Sequence, residues 1–197
     1  MNLLRVRRPL TAVRRVIAVC GAHPGAGAMH LGFAFATYLG EIHRHRTALV
    51  EIAAESRLIH MSEGEAVIRG PSVGYRFRSI DLYPGMDAGS AIRVAGGGYE
   101  EVIIVYRFRD EIPVFSTDVR RFVIGSARIW DRHYYRDLMK EHLSSGHVGE
   151  TYLAVGPTDS EIRYFRREYG CKLTAVPFIP NPFDLTKSAG KFISGLI

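Results

Sequence analysis

Residues 16–39, VIAVCGAHPGAGAMHLGFAFATYL, decide the fold. Val16, Ile17 and Val19 make a compact β-branched run that stops at Gly21. A loop of small residues follows through Gly27, and a long apolar, alanine-rich segment continues at helical spacing. Strand, tight loop and helix in that order bring backbone N–H groups and the positive end of a helix dipole to one place, which suits a phosphate.

The phosphate-binding loop has the pattern G-x-x-x-x-G-K-[ST]. Glycines let the backbone curl, the Lys reaches the outer phosphates and the hydroxyl ligates magnesium. Laid on this chain, its positions are Ala22, His23, Pro24, Gly25, Ala26, Gly27, Ala28 and Met29. Ala28 stands where the Lys belongs, and Met29, which has no oxygen for magnesium, stands in place of Ser or Thr.

With those residues in view, the chain resembles the MinD/ParA family of deviant Walker-A ATPases. That family's loop lies between a short apolar strand and an apolar helix. The resemblance rests on residues 16–39, on RTALVEI at 46–52 and on EVIIVY at 101–106. It implies an α/β, three-layer, P-loop NTPase-like fold, with a mostly parallel sheet of about seven strands and helices on both faces. It also implies where this chain departs from the family. His23 occupies the position of the signature Lys, Glu51 ends the second strand in place of Asp, and Val105 and Tyr106 end the strand that carries the Walker-B Asp. Each departure removes a charge used on ATP, magnesium or the attacking water. The expectation is a degenerate member that does not hydrolyse ATP, needs no cofactor, and serves as a scaffold or localisation adaptor in the style of members that position secretion and pilus machinery. Weak ATP or ADP binding through the loop backbone stays open.

Length and composition agree with one domain over residues 1–197. The chain has 197 residues, 47% apolar and 23% charged, enough for a sizeable core. No apolar run approaches the roughly 20 residues of a membrane helix. The basic arm at 1–13 precedes an apolar run too short for a secretion signal, so the expected location is cytoplasmic or membrane-peripheral. Cys20 and Cys171 lack metal spacing and read as buried thiols. The net charge of +6 permits an acidic partner without requiring one.

Further along, strands are expected at about 14–20, 47–52, 75–82, 101–106, 121–125, 151–155 and 173–177. They alternate with helices at 28–43, 55–69, 86–98, 131–145 and 158–169, and a final helix starts near Thr186. Thr158 and Glu161 have capping-box spacing. His43 and His45, two apart at a helix end, point in different directions and read as a solvated terminus, so no metal site is expected. His23, inside the loop, is able to donate to an anion. Ser126 reads as a turn residue, since no nucleophile elbow surrounds it.

Arginine and aromatic residues interleave at 75–78, 106–109, 127–136 and 163–169. The candidate interface residues are Arg76, Arg107, Arg128, Trp130, Tyr134, Tyr135, Arg163 and Tyr164. Such mixtures occur at protein interfaces and at single-stranded nucleic-acid sites. Acidic residues in the same stretches favour a protein partner, a homodimer included. The tail Lys187 to Ile197 places Phe192, Ile193, Leu196 and Ile197 on one helix side, which suits either docking on its own domain or a membrane surface. Two further readings remain beside the adaptor: a nucleotide-binding regulator or enzyme that relies on the loop backbone, and a basic nucleic-acid binder.

Overall fold

The computed structural model describes residues 15–61, 64–69, 71–108, 118–144 and 149–197; the basic arm lies outside them. Strand β1 (Arg15–Gly21) occupies the middle of the sheet because all but its first residue are buried and it presents apolar side chains to both sides. Ile17 and Val19 face one layer, and Val16, Ala18 and Cys20 face the other. Beside it lie β6 (Glu101–Arg107) and β7 (Val119–Gly125), both parallel to it. The remaining strands are β2 (Thr47–Ile52), β3 (Ala66–Arg69), β4 (Ser72–Phe77), β5 (Ile80–Met86), β8 (Glu150–Val155) and β9 (Leu173–Val176). They complete a nine-stranded sheet in the order β3-β4-β5-β2-β6-β1-β7-β8-β9. All pairings are parallel except β3 with β4 and β4 with β5.

Helices α1 (Ala28–Thr37) and α5 (Lys187–Leu196) cover one face of the sheet, and α2 (Ala88–Ala95), α3 (Arg132–Ser144) and α4 (Asp159–Tyr169) cover the other. This is the expected three-layer α/β architecture with two strands more than the expected seven. Both come from residues 55–86. The stretch expected as a helix at 55–69 holds a short 3-10 turn at Leu58–Met61 and then β3, where Val67 and Ile68 favour extended backbone. The stretch expected as one strand at 75–82 folds back at Arg78, whose φ of 52° turns β4 antiparallel onto β5.

The helix expected at 28–43 is α-helical through Thr37 and closes with a wider π turn over Tyr38–Ile42. His43 and His45 flank a turn at Arg44 (φ 61°), which brings their rings to 5.7 Å instead of pointing them apart. His45 is not solvated as expected: its Nδ1 lies 3.0 Å from the buried carboxylate of Glu101. The expected capping box on α4 is formed, with Thr158 Oγ1 accepting from the Glu161 N–H and the Glu161 carboxylate accepting from the Thr158 N–H. Cys20 is buried as expected, whereas Cys171 is half-buried, and no disulfide joins them.

Helix α5 docks on its own sheet. Ala189 and Ile193 are buried, Phe192, Leu196 and Ile197 pack against the same core, and Arg120 donates to the Leu196 carbonyl at 2.9 Å. The apolar side read as suitable for a membrane is thus turned inward. Among the described residues no helix is long and apolar enough to cross a membrane.

One close contact seats α1. A Cβ at Gly32 would lie 2.5 Å from Val105 Cγ2 on β6 and 3.3 Å from Leu49 Cδ1 on β2, so only a bare backbone lets the helix approach this far. Gly32→Ala is expected to destabilise the protein by about 1–3 kcal/mol through overpacking, despite the better helix propensity of Ala. Adding Val105→Ala recovers part of that loss, as read from urea midpoints of the single and double variants.

Candidate functional site

The loop between β1 and α1 opens at the carboxyl ends of the central strands, where chain connections diverge to the two halves of the sheet, the usual ligand crevice of open α/β proteins. Its course is set by backbone. Gly25 (φ 81°) and Gly27 (φ 97°) take left-handed conformations, the Ala26 N–H donates to the His23 carbonyl at 3.1 Å, and the Leu31 N–H donates to the Gly27 carbonyl at 2.9 Å. Gly27 caps α1 with no side-chain hydrogen bond, and the first turn carries no acidic residue. The helix dipole therefore faces the crevice without a local counter-charge from that turn.

The side chains along this loop are apolar or engaged locally. Ala22 and Ala26 are buried, while Ala28 and Met29 are half-buried and pack against the α1 core. Pro24 and Gly25 are exposed. His23 donates from Nδ1 to the Pro24 carbonyl at 2.9 Å and stacks on Tyr134 with centroids 5.0 Å apart. His30 donates from Nε2 to the Ile179 carbonyl at 2.7 Å, tying the start of α1 to the segment after β9.

Two cavities flank the loop. One, of about 420 Å³, lies toward β2 and β6, with Glu51, Glu55, Arg57 and Arg107 on its walls. The other, of about 450 Å³, lies toward β7, β8 and β9 and is largely apolar, lined by Ile124, Val155, Val176 and Phe178 with Ser126, Arg128 and Asp131. His23, Gly25, Ala26, Gly27 and His30 belong to both.

Glu51 has a role that its place at a strand end did not reveal. Its buried carboxylate accepts from the Ser56 hydroxyl, from the Arg57 N–H at 3.1 Å and from the Leu58 N–H at 3.2 Å, and so fixes the turn at 56–58, of which Arg57 lines the first cavity. The sequence carries no local pattern for this clamp, because its donors stand five to seven residues after the acid. At the end of β6, Val105 and Tyr106 are buried, and burial pushes the Tyr106 phenol well above its usual range. Among the described residues lining this cavity the carboxylates are Glu51 and Glu55. Also among the described residues, no group of three or more His, Cys, Asp or Glu side chains is placed to hold a metal.

The structure separates the candidate interface residues. Arg128, Trp130 and Tyr134 gather beside the loop: the Arg128 guanidinium lies over Trp130 at 5.6 Å, and Trp130 is 64% exposed. Phe178, 80% exposed, and Ile129 extend the same rim and were not anticipated. Arg107 stands on the wall of the first cavity. Arg163 and Tyr164 lie on α4. Arg76 stands apart on β4, ion-paired with the buried Asp81. Tyr135 is a correction: it is buried, and its hydroxyl donates to the Val123 and Leu153 carbonyls beneath α3. Gly125 makes room for it, since a Cβ there would meet the ring at 2.5 Å. Ser126 is the expected turn residue, its Oγ lying 3.4 Å from the Arg128 N–H.

Solved structures of the same architecture are numerous. MinD within the MinC:MinD cell division complex of Aquifex aeolicus superposes with a TM-score of 0.66 at 13% identity, covering 92% of this chain and 96% of that one. The chain has the MinD/ParA P-loop fold. A plasmid partition protein from Borrelia burgdorferi bound to AMPPNP gives 0.59 at 12% identity, covering 93% and 96%. FlhF complexed with GMPPNP and magnesium gives 0.59 at 16% identity, covering 93% and 74%. No family model matches the sequence, and no curated protein matches it significantly.

On this MinD/ParA frame, the loop keeps the strand–turn–helix path, while Ala28 supplies no cation, Met29 no hydroxyl, and Val105 and Tyr106 no carboxylate at the pattern's positions.

Replacing Glu51 with Ala leaves the Arg57 and Leu58 N–H groups without their acceptor. It is expected to cost about 1–3 kcal/mol and to remove hydrogen-exchange protection over residues 56–61. Glu51→Gln, which keeps one acceptor oxygen, loses less.

Proposed function

We propose that this chain is a non-hydrolysing MinD/ParA-type platform, a scaffold or localisation adaptor that engages protein partners. The observation that carries this reading is the pairing of a glycine-shaped loop with Ala28 and Met29 in place of Lys and Ser or Thr. A nucleotide switch needs a ligand whose affinity differs between two states, and the differential contacts come from the Lys, the magnesium ligand and the acidic positions that this chain replaces. The clamp that Glu51 places on residues 56–58 supports the same reading, because it engages the carboxylate at the end of β2 with the chain's own turn. The exposed rim of Ile129, Trp130 and Phe178 beside the loop supplies the apolar and aromatic anchors typical of binding surfaces. The MinD of similar fold occurs in a complex with MinC, which supports a protein partner for this chain.

A second reading, a regulator that holds a nucleotide without cleaving it, is favoured by one feature. The apolar cavity of about 450 Å³ adjoins the loop and has room for a ring system next to the backbone N–H groups. Turnover separates both readings from an ATPase. Phosphate release by the purified chain with magnesium–ATP is expected to equal the buffer blank, and magnesium-dependent release above it overturns the platform. Ala28→Lys with Met29→Thr is expected to raise the melting temperature in the presence of magnesium–ATP, because the backbone path for the phosphates is already built.

A further inference from the structure

The outer surface of α3 and α4 concentrates cations. Arg132, Arg136 and Lys140 follow one another at four-residue intervals on α3, and Arg163, Arg166 and Arg167 share one side of α4. All but the half-buried Arg132 are exposed. Arg132 lies 4.4 Å from the Tyr164 ring centroid and Arg167 lies 5.8 Å from it, which joins the two rows. Arg136 and Arg132 also lie close enough to Tyr169 to oppose the upward push of burial on its phenol.

Among the described residues, Arg136 has a carboxylate neighbour in Asp137 at 3.6 Å, while Arg132, Arg163, Arg166 and Arg167 have no carboxylate within 4.0 Å. The Nε of Arg132 is buried without a hydrogen-bond partner. Like charges three and four residues apart repel on a helix. The helix dipole accounts for Arg166 and Arg167 in the last turn of α4, but it disfavours Arg132, which opens α3 in a first turn without any acid. These placements weaken the isolated fold and are the kind that an anionic partner relieves.

We propose that the α3–α4 surface is a docking site for an acidic protein segment whose carboxylates, at helical spacing, lie along the two arginine rows. The α3 row spans about 12 Å, the rise from Arg132 to Lys140, so two to three turns of a partner helix cover it. A protein segment fits better than a nucleic acid. Arg132 at 4.4 Å from the Tyr164 centroid competes with a base for that ring, and Asp137 and Glu168 flank the rows and interrupt any continuous phosphate track. This inference rests on the platform reading and names the partner's chemistry.

Fluorescence anisotropy on the full chain tests it. The probe is a fluorescein-labelled Glu/Ala peptide with glutamates at four-residue intervals, and the competitor is an oligothymidine of equal net charge. The expected result is saturable peptide binding that weakens about tenfold or more in Arg163→Glu/Arg167→Glu and in the neutral Arg163→Gln/Arg167→Gln. It stays unchanged in Arg93→Glu on the remote helix α2, and oligothymidine does not displace it. Circular dichroism melts confirm that the variants are folded. Absence of peptide binding, equal binding by the folded α4 variants, or displacement by oligothymidine each overturns the proposal, the last by assigning the surface to nucleic acid. ATP turnover is measured separately, so failure of the platform reading and failure of this surface are distinguishable.

Discussion

The structure depends on how closely α1 lies on the central strands. Gly32 removes the one side chain that would hold the helix away from Val105, and the Ala-rich face around it follows the β-branched surface of β1 and β6. That contact fixes where α1 begins, and hence where Gly25 and Gly27 must turn the chain. Central strands buried on both faces keep the turn in place from below, since a shift in register would exchange Ile17 and Val19 with Val16, Ala18 and Cys20 between two differently packed layers.

A consequence is that the loop's shape and its chemistry are independent. Shape comes from two positive-φ glycines and from core packing; chemistry comes from side chains at positions 28 and 29 and at the ends of β2 and β6. The first is retained here and the second replaced. A methyl and a thioether pack against the α1 core, a strand-end glutamate closes its own turn, and a buried tyrosine stands at the end of β6. The exposed features lie elsewhere, on the rim around Trp130 and Phe178 and on the arginine rows of α3 and α4.

Much of the frame was legible in the sequence because it rests on local patterns. The run at 101–106 reads as a strand buried on both faces, Thr158 and Glu161 announce the start of α4, and the loop shows itself by glycine spacing. What was not legible depends on partners distant in sequence or on a single dihedral angle. Leu58, Ile59 and Met61 fit a helical period, yet the turn they form is set by the Glu51 carboxylate several residues earlier. The hairpin at Arg78 needs a positive φ without a glycine to signal it. Tyr134 and Tyr135 are adjacent, so composition cannot tell that one stacks on His23 outside and the other bonds to β7 and β8 carbonyls within. The tail's apolar side suited its own domain better than a membrane, and the α5 contacts place it on the sheet.

The most direct test of the account is calorimetric titration of the purified chain with ATP and with ADP, in the presence and absence of magnesium. The account predicts no saturable heat at millimolar nucleotide under either condition, because the loop backbone alone lacks the charge that gives the family its grip. Saturable, magnesium-dependent binding that favours ATP over ADP would contradict it, and would show that the chain restores a nucleotide switch with residues other than those at positions 28, 29, 105 and 106.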